Sequence, residues 1–179
     1  MKIIKIILKS ILVLIIVVLV AGVFMKKEFN YEKSISINAP SDLVWENILY
    51  FKNHDKWSQW KEIDPNMKEE ITGTDGTVGA KATWSSNHKE VGNGSQTITA
   101  IVPGKRVDTK LEFDGQDGGT GFFTVDEENG ATKVVWGMHS EIPYPINAMS
   151  FMFMPSDEDM NQMFEKGLAM LKKASEEQK

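Results

Sequence analysis

The chain has 179 residues, with 20 basic and 25 acidic side chains, 41% hydrophobic residues and no cysteine. That length suits one domain with an appended segment. The lack of cysteine excludes a disulfide framework, a zinc–thiolate site, a thiol nucleophile and a lipidated cysteine, and leaves the compartment open.

The first segment stands apart. Ser10 to Met25 reads SILVLIIVVLVAGVFM, without a charge. Extended back to Ile6, it would form roughly 30 Å of helix, the thickness of a hydrocarbon core. Lys9 would then snorkel to the headgroups. The competing reading is a cleaved signal peptide, which has a shorter apolar core of about 7–15 residues and a small-x-small cleavage site. AGVFMKKEF has no clean site of that kind, so the sequence predicts a retained transmembrane anchor over residues 1–27 and a domain over 28–179. A buried helix of a soluble protein is the third reading. Lys2, Lys5 and Lys9 on one flank nearly balance Lys26, Lys27 and Lys33 on the other. The expected orientation places the domain on the outer side. Without the five lysines of the first segment, the domain keeps 15 basic against 25 acidic residues, a formal charge of −10. That argues against nucleic-acid binding, which needs a basic stripe, and against a domain face lying flat on anionic lipid.

Phe29, Tyr31, Ile35 and Ile37 share one parity and predict a half-buried strand. NAPS then breaks it, and Ser41 opens a helix with Val44, Trp45 and Ile48 on one face. A second short helix is expected over Asn53 to Gln59. About six strands follow, separated by turn signals at Asp75–Gly76, Asn87, Pro103–Gly104, DGQDGG, EENG and Pro143, in the manner of an antiparallel meander. No crossover helix interrupts them, which argues against a parallel sheet. Gly73, Gly76, Gly79, Gly92 and Gly94, in or beside strands, would allow the sheet to bend. The last segment is a helix capped by Ser156, with Asp157, Glu158 and Asp159 in its first turn. Met160, Met163, Phe164, Gly167, Leu168, Leu171 and Ala174 form its apolar stripe.

The fold class expected is α+β, with a curved antiparallel sheet of about seven strands wrapped around the long C-terminal helix. This order, with NAP before the first helix, WSQW, DPNM, the hairpin GAKATWSSNHKEVGNGSQTIT, TKVVWGMHSE and FEKGLAMLK, resembles the polyketide cyclase/dehydrase branch of the START-like (SRPBCC) superfamily. The resemblance spans about Phe29 to Ala174, nearly the whole domain. Many members of that branch carry Trp-Ser-Pro-Trp where this chain has Trp57-Ser58-Gln59-Trp60, so Gln59 removes a rigid turn residue. The resemblance implies a helix-grip fold with a cavity between sheet and helix. Most members bind apolar or amphipathic molecules there, and a few catalyse cyclisation or dehydration.

Candidate chemistry is sparse. His54, His88 and His139 lack metal-ligand spacing and read as surface residues. No G-x-S-x-G elbow occurs. Gly115 to Gly121 is glycine-rich but precedes a strand and reads as a hairpin loop. Glu90 is the one carboxylate shortlisted as a buried acid. No metal and no cofactor is implied. The richer set is apolar: Trp57, Trp60, Trp84, Phe113, Phe123, Trp136, Met138, Met163, Phe164 and Leu168 are the candidate ligand-binding residues, and Met149 to Met154 add further Met and Phe side chains. Trp57 and Trp60 pose the same choice, core cap or pocket rim. At least one is expected to be buried against the first domain helix or the last. Lys133 and Arg106 fall on the outward parity.

The function expected is a membrane-anchored, monomeric binding domain for a hydrophobic small molecule or lipid. A cyclase-like enzyme using a buried acid or histidine, and a partner-binding domain with a filled core, are the alternatives. An enzyme would need two convergent ionisable groups facing the cavity.

Overall fold

The computed structural model describes residues 2–150 and 155–178. The elements are α1 (Lys2–Phe24), β1 (Glu28–Ile37), α2 (Ser41–Leu49), α3 (Phe51–His54), α4 (Gln59–Ile63), β2 (Lys68–Thr72), β3 (Lys81–Ser85), β4 (Asn93–Val102), β5 (Arg106–Phe113), β6 (Gln116–Glu128), β7 (Ala131–Glu141), α5 (Asn147–Ser150) and α6 (Asp157–Glu177). The second domain helix expected over Asn53 to Gln59 is instead two short pieces, α3 and α4. Ser58 accepts from the Lys61 amide and starts the second piece, so WSQW itself turns the chain.

The seven strands form one antiparallel sheet in the order β1-β7-β6-β5-β4-β3-β2. β2 to β7 run as a meander, and β1 closes the far edge against β7 along its whole length. Directly paired residues share a face. Ala82 packs on the core. The register from Trp84 through Gly94 to Phe113, and from Phe123 through Trp136 to Lys33, therefore defines one inner face. Tyr31, Ile35, Ile37, Trp84, Ile98, Thr109, Leu111, Phe113, Phe123, Val134, Trp136 and Met138 all lie on it.

The sheet bends where its register slips, between Ile98 and Ala100 and between Leu111 and Glu112. Of the five glycines expected in or beside strands, Gly94 lies within β4, Gly73 and Gly92 directly adjoin β2 and β4, and Gly76 and Gly79 stand in the turn between β2 and β3. Gly119 does bear on the bend. It sits in β6 at φ 98°, and an added Cβ would collide with the His139 carbonyl oxygen. Residues 116–121 are strand, and the turn before them is only Asp114–Gly115. This corrects the hairpin-loop reading of Gly115 to Gly121.

α6 begins with a capping box: Ser156 Oγ accepts from the Asp159 amide while the Asp159 carboxylate accepts from the Ser156 amide. The helix lies along β1 and against α2 and α4. Its buried stripe, Met160, Phe164, Gly167, Leu168, Leu171 and Ala174, matches the sequence period. The main core joins α2, the inner face and Leu168 and Leu171. Below it, Asn47 donates to Ser175 Oγ at 3.2 Å, which satisfies two buried polar groups with each other.

Candidate functional site

The ten candidate residues fall into two groups. Trp57, Trp60, Phe123, Trp136 and Phe164 form one aromatic cluster. Trp136 stacks on Phe123 at 5.1 Å, tilts over Phe164 at 4.4 Å and receives the edges of Trp57 and Trp60, each at 6.3 Å. Such offset and edge-on pairs suit the ring quadrupoles. α6 comes this close because Gly167 faces Trp136, where an added Cβ would lie 2.5 Å from the ring. Trp57 is 4% exposed, and its Nε1 donates to the Asn47 carbonyl at 2.9 Å. It is a core residue braced on α2, as one of the pair was expected to be. Trp60 is half-buried beside it. Gln59, buried between them, donates to the Met163 carbonyl at 3.1 Å and ties α4 to α6.

Leu168 belongs to the main core. Met138 and Met163 are half-buried and pack around a second cluster of Tyr31, Met160 and Phe164. Trp84 and Phe113 stand apart. They meet each other edge-on at 6.0 Å on β3 and β5, away from the strand that α6 follows. Phe113 stays 43% exposed although it faces inward. Leu111, on the same parity, is only half-buried. It was missed in the sequence, although its alternation with Phe113 marks it. Tyr31 and Met160 were placed on inward stripes but not named as site residues. Phe151, Met152, Phe153 and Met154 lie outside the described residues.

Polar groups on the inner parity of β1 are spent on α6, whereas Glu69, paired across from Trp84, is held by Lys61 of α4 at 3.1 Å. Tyr31 donates to Asp157 at 2.7 Å and Lys33 reaches Glu165 at 2.6 Å. Burial, and then the bond to Asp157, push the Tyr31 phenol up to about 12, while the same bond holds the Asp157 carboxyl below its ordinary value. Arg106 and Lys133 do point outward. Arg106 chelates Asp108 and lies 4.3 Å over the Phe122 ring, and Lys133 pairs with Glu128.

His54 differs from the surface residue expected. Its ring packs against Phe51 and Trp57, and Nε2 lies 2.8 Å from the Ile48 carbonyl. Burial lowers its pKa from 6.5. A carbonyl only accepts, so the neutral ring carries its proton on Nε2. His88 and Glu90 are exposed in the turn between β3 and β4, so the shortlisted acid is not buried. His139 lies on the outer face against Asn30.

Two clefts lie off the sheet–helix interface, the first lined by polar residues and the second by a mixture. One of about 610 Å³ is bounded by Asp64, Asn66, Lys68 and Ser85 to His88. Ser86 donates to Asp64 there and, as the largest influence, lowers the Asp64 pKa. The other, about 240 Å³, lies between the start of α2 and the β6–β7 turn. Among the described residues, no group of three or more His, Asp or Glu side chains could hold a metal ion.

The family model described as "Polyketide cyclase / dehydrase and lipid transport" matches residues 28–176. Three solved structures share the fold. The Aha1 dimer from Colwellia psychrerythraea is 20% identical, with TM-score 0.57 over 83% of this chain and 96% of that one. Ara h 8.0201 is 13% identical, with TM-score 0.54 over 84% and 96%. A protein from Chromobacterium violaceum is 16% identical, with TM-score 0.57 over 82% and 96%. No curated protein matches the sequence.

Proposed function

Because the chain belongs to the polyketide cyclase/dehydrase and lipid transport family, a ligand-binding branch of the START-like superfamily, we propose that it is a membrane-anchored receptor for an uncharged or weakly charged apolar molecule. The ligand lies on the inner face beside α6, with Trp84, Leu111 and Phe113 along one side and Met138, Met163 and Trp60 along the other. The observation that carries this reading is the half-open Trp84–Phe113 pair. Two aromatic rings and a leucine face inward where the sheet is curved, yet α6 runs along the opposite strand. Contiguous inward apolar surface of that kind is what a pocket wall offers, and the neighbouring methionines adapt to irregular shapes. α1, 23 residues long and apolar enough to cross a bilayer, holds the domain where such ligands partition.

The cations at the inner face are already paired, Lys33 with Glu165, and Lys61 with Asp55 and with Glu69 opposite Trp84, and burying an unpaired anionic head is costly. Binding is therefore expected to depend little on salt. The test is native mass spectrometry of the full chain released from detergent after incubation with neutral lipids and apolar small molecules. Retained neutral adducts are expected at both low and high ionic strength. They should fall several-fold when Trp84 and Phe113 are both changed to Ala. Loss of the adducts in high salt would put the site on charged groups. No adduct across the library would support the filled-core reading instead.

A further inference from the structure

α5 and Ile146 just before it form a short stretch with two different sides. Asn147 and Ala148 are buried, whereas Ile146 and Met149 are each 60% exposed. The buried side docks on the end of α1. Asn147 Nδ2 donates to the Gly22 carbonyl at 2.7 Å and reaches the Met25 carbonyl at 3.4 Å, carbonyls at a helix end that has no following turn to satisfy them. Gly22 leaves room for Ala148, whose Cβ an added side chain at Gly22 would strike. Two further links fix this end of the domain to α1. The Ile142 amide donates to the Lys27 carbonyl, and Lys26 reaches Asp157 at the start of α6 at 3.5 Å. The depth of α1 therefore sets the depth of α5.

We propose that α5 is a second membrane contact, in which Ile146 and Met149, with Tyr144 beside them, enter the lipid interface next to α1. The proposal rests on α1 being a retained anchor. With Lys26 and Lys27 at the headgroups, Gly22 lies deeper by about 3 Å of helix up to Phe24 and by the reach of the non-helical Met25 and Lys26, about 10 Å in all at most. The roughly 5–10 Å at which interfacial apolar elements sit falls inside that reach. Ala148 touches α1 at this level, so the exposed side chains of α5 are carried to the boundary between headgroups and acyl chains. Tyr144, 45% exposed, has the apolar body and polar tip found at such boundaries. The apolar surface of α1 is exposed through Val23 and Phe24, next to the point where Gly22 meets Ala148 of α5. The occupant is thus the lipid that surrounds α1. The same geometry turns the Tyr31, Met160 and Phe164 end of the interior towards the bilayer, because Lys26 lies against Phe29, Tyr31 and Asp157 at that end.

The native chain has no cysteine, so single labels are unambiguous. Ile146→Cys, Met149→Cys and Val102→Cys would each carry an environment-sensitive dye in the full chain, reconstituted in phosphatidylcholine vesicles with nitroxide-bearing acyl chains. Val102 is 50% exposed and lies at the opposite end of the sheet. Blue-shifted emission and several-fold stronger quenching at 146 and 149 than at 102 are expected. Equal, weak quenching at all three sites in vesicle-bound protein would overturn the proposal and leave the anchor standing. A blue shift at 146 and 149 without quenching, lost on dilution of protein in lipid, would assign the surface to a second copy and also overturn it. Recovery of the chain in the aqueous phase after an alkaline wash would overturn the anchor reading, and this proposal with it.

Discussion

His54 shows how one side chain converts position into pH dependence. The folded ring is neutral, pressed between Phe51 and Trp57, and burial lowers its pKa from 6.5. In the unfolded chain it protonates at its ordinary value. A depressed folded pKa contributes stability that is whole above the unfolded pKa and is lost as pH falls through the folded one. The unfolding midpoint in urea should therefore drop between about pH 7.5 and about pH 5.5, above the range where carboxylates such as Asp157 begin to protonate. His54→Gln keeps a donor for the Ile48 carbonyl but cannot titrate. Its midpoint should be nearly flat across that window. A slope equal to that of the natural chain would assign the effect to another group. Tyr31 acts at the other extreme. Its phenol is raised to about 12, so its contribution is intact below pH 10 and is lost as pH climbs through that value.

Among the elements, α6 depends on one close approach. Gly167 lies over Trp136, whose ring is held by Phe123 and Phe164. Gly167→Ala would gain up to about 1 kcal/mol of helix propensity, but overpacking against a held ring costs about 1–3 kcal/mol. A net destabilisation of about 1 kcal/mol is expected in chemical denaturation, and a raised midpoint would show that the ring yields. Neither partner announces this contact in the sequence. The stripe from Met160 to Ala174 and the Ser156 cap were legible because helix period and capping are local. The parities of β1 and β7 were legible because alternation over ten residues fixes a face. The start of β6 was not, since Gly118, Gly119 and Gly121 read as turn residues until the His139 carbonyl is placed against one of them. The candidate site divides for the same reason. The sequence groups Trp84, Phe113, Phe123 and Trp136 only by residue type; strand register puts them on one face, and nothing local to the strands says which of them the helix covers.

Across the whole molecule, the question is whether residues 1–27 belong to the fold or only hold it in place. Both apolar clusters are built from Phe29 and residues after it, and Gly22 is the one buried residue in α1. Removing Met1 to Lys27 would cost the Asn147 bonds to Gly22 and Met25, the Ile142 bond to Lys27 and the Lys26–Asp157 pair. The last is exposed and worth little, and the freed amides of Ile142 and Asn147 would turn to water. The remaining 28–179 domain carries a formal charge of −10, which favours a soluble, dispersed chain over self-association. A cooperative thermal transition and a monomeric sedimentation profile are therefore expected for the deletion protein, with Tyr31, Trp57 and Trp136 as protected from solvent quenchers as in the full chain. Aggregation without a cooperative melt would mean that α1 is part of the folded core. The retained segment would then have to be read as a helix of the domain and not as its tether.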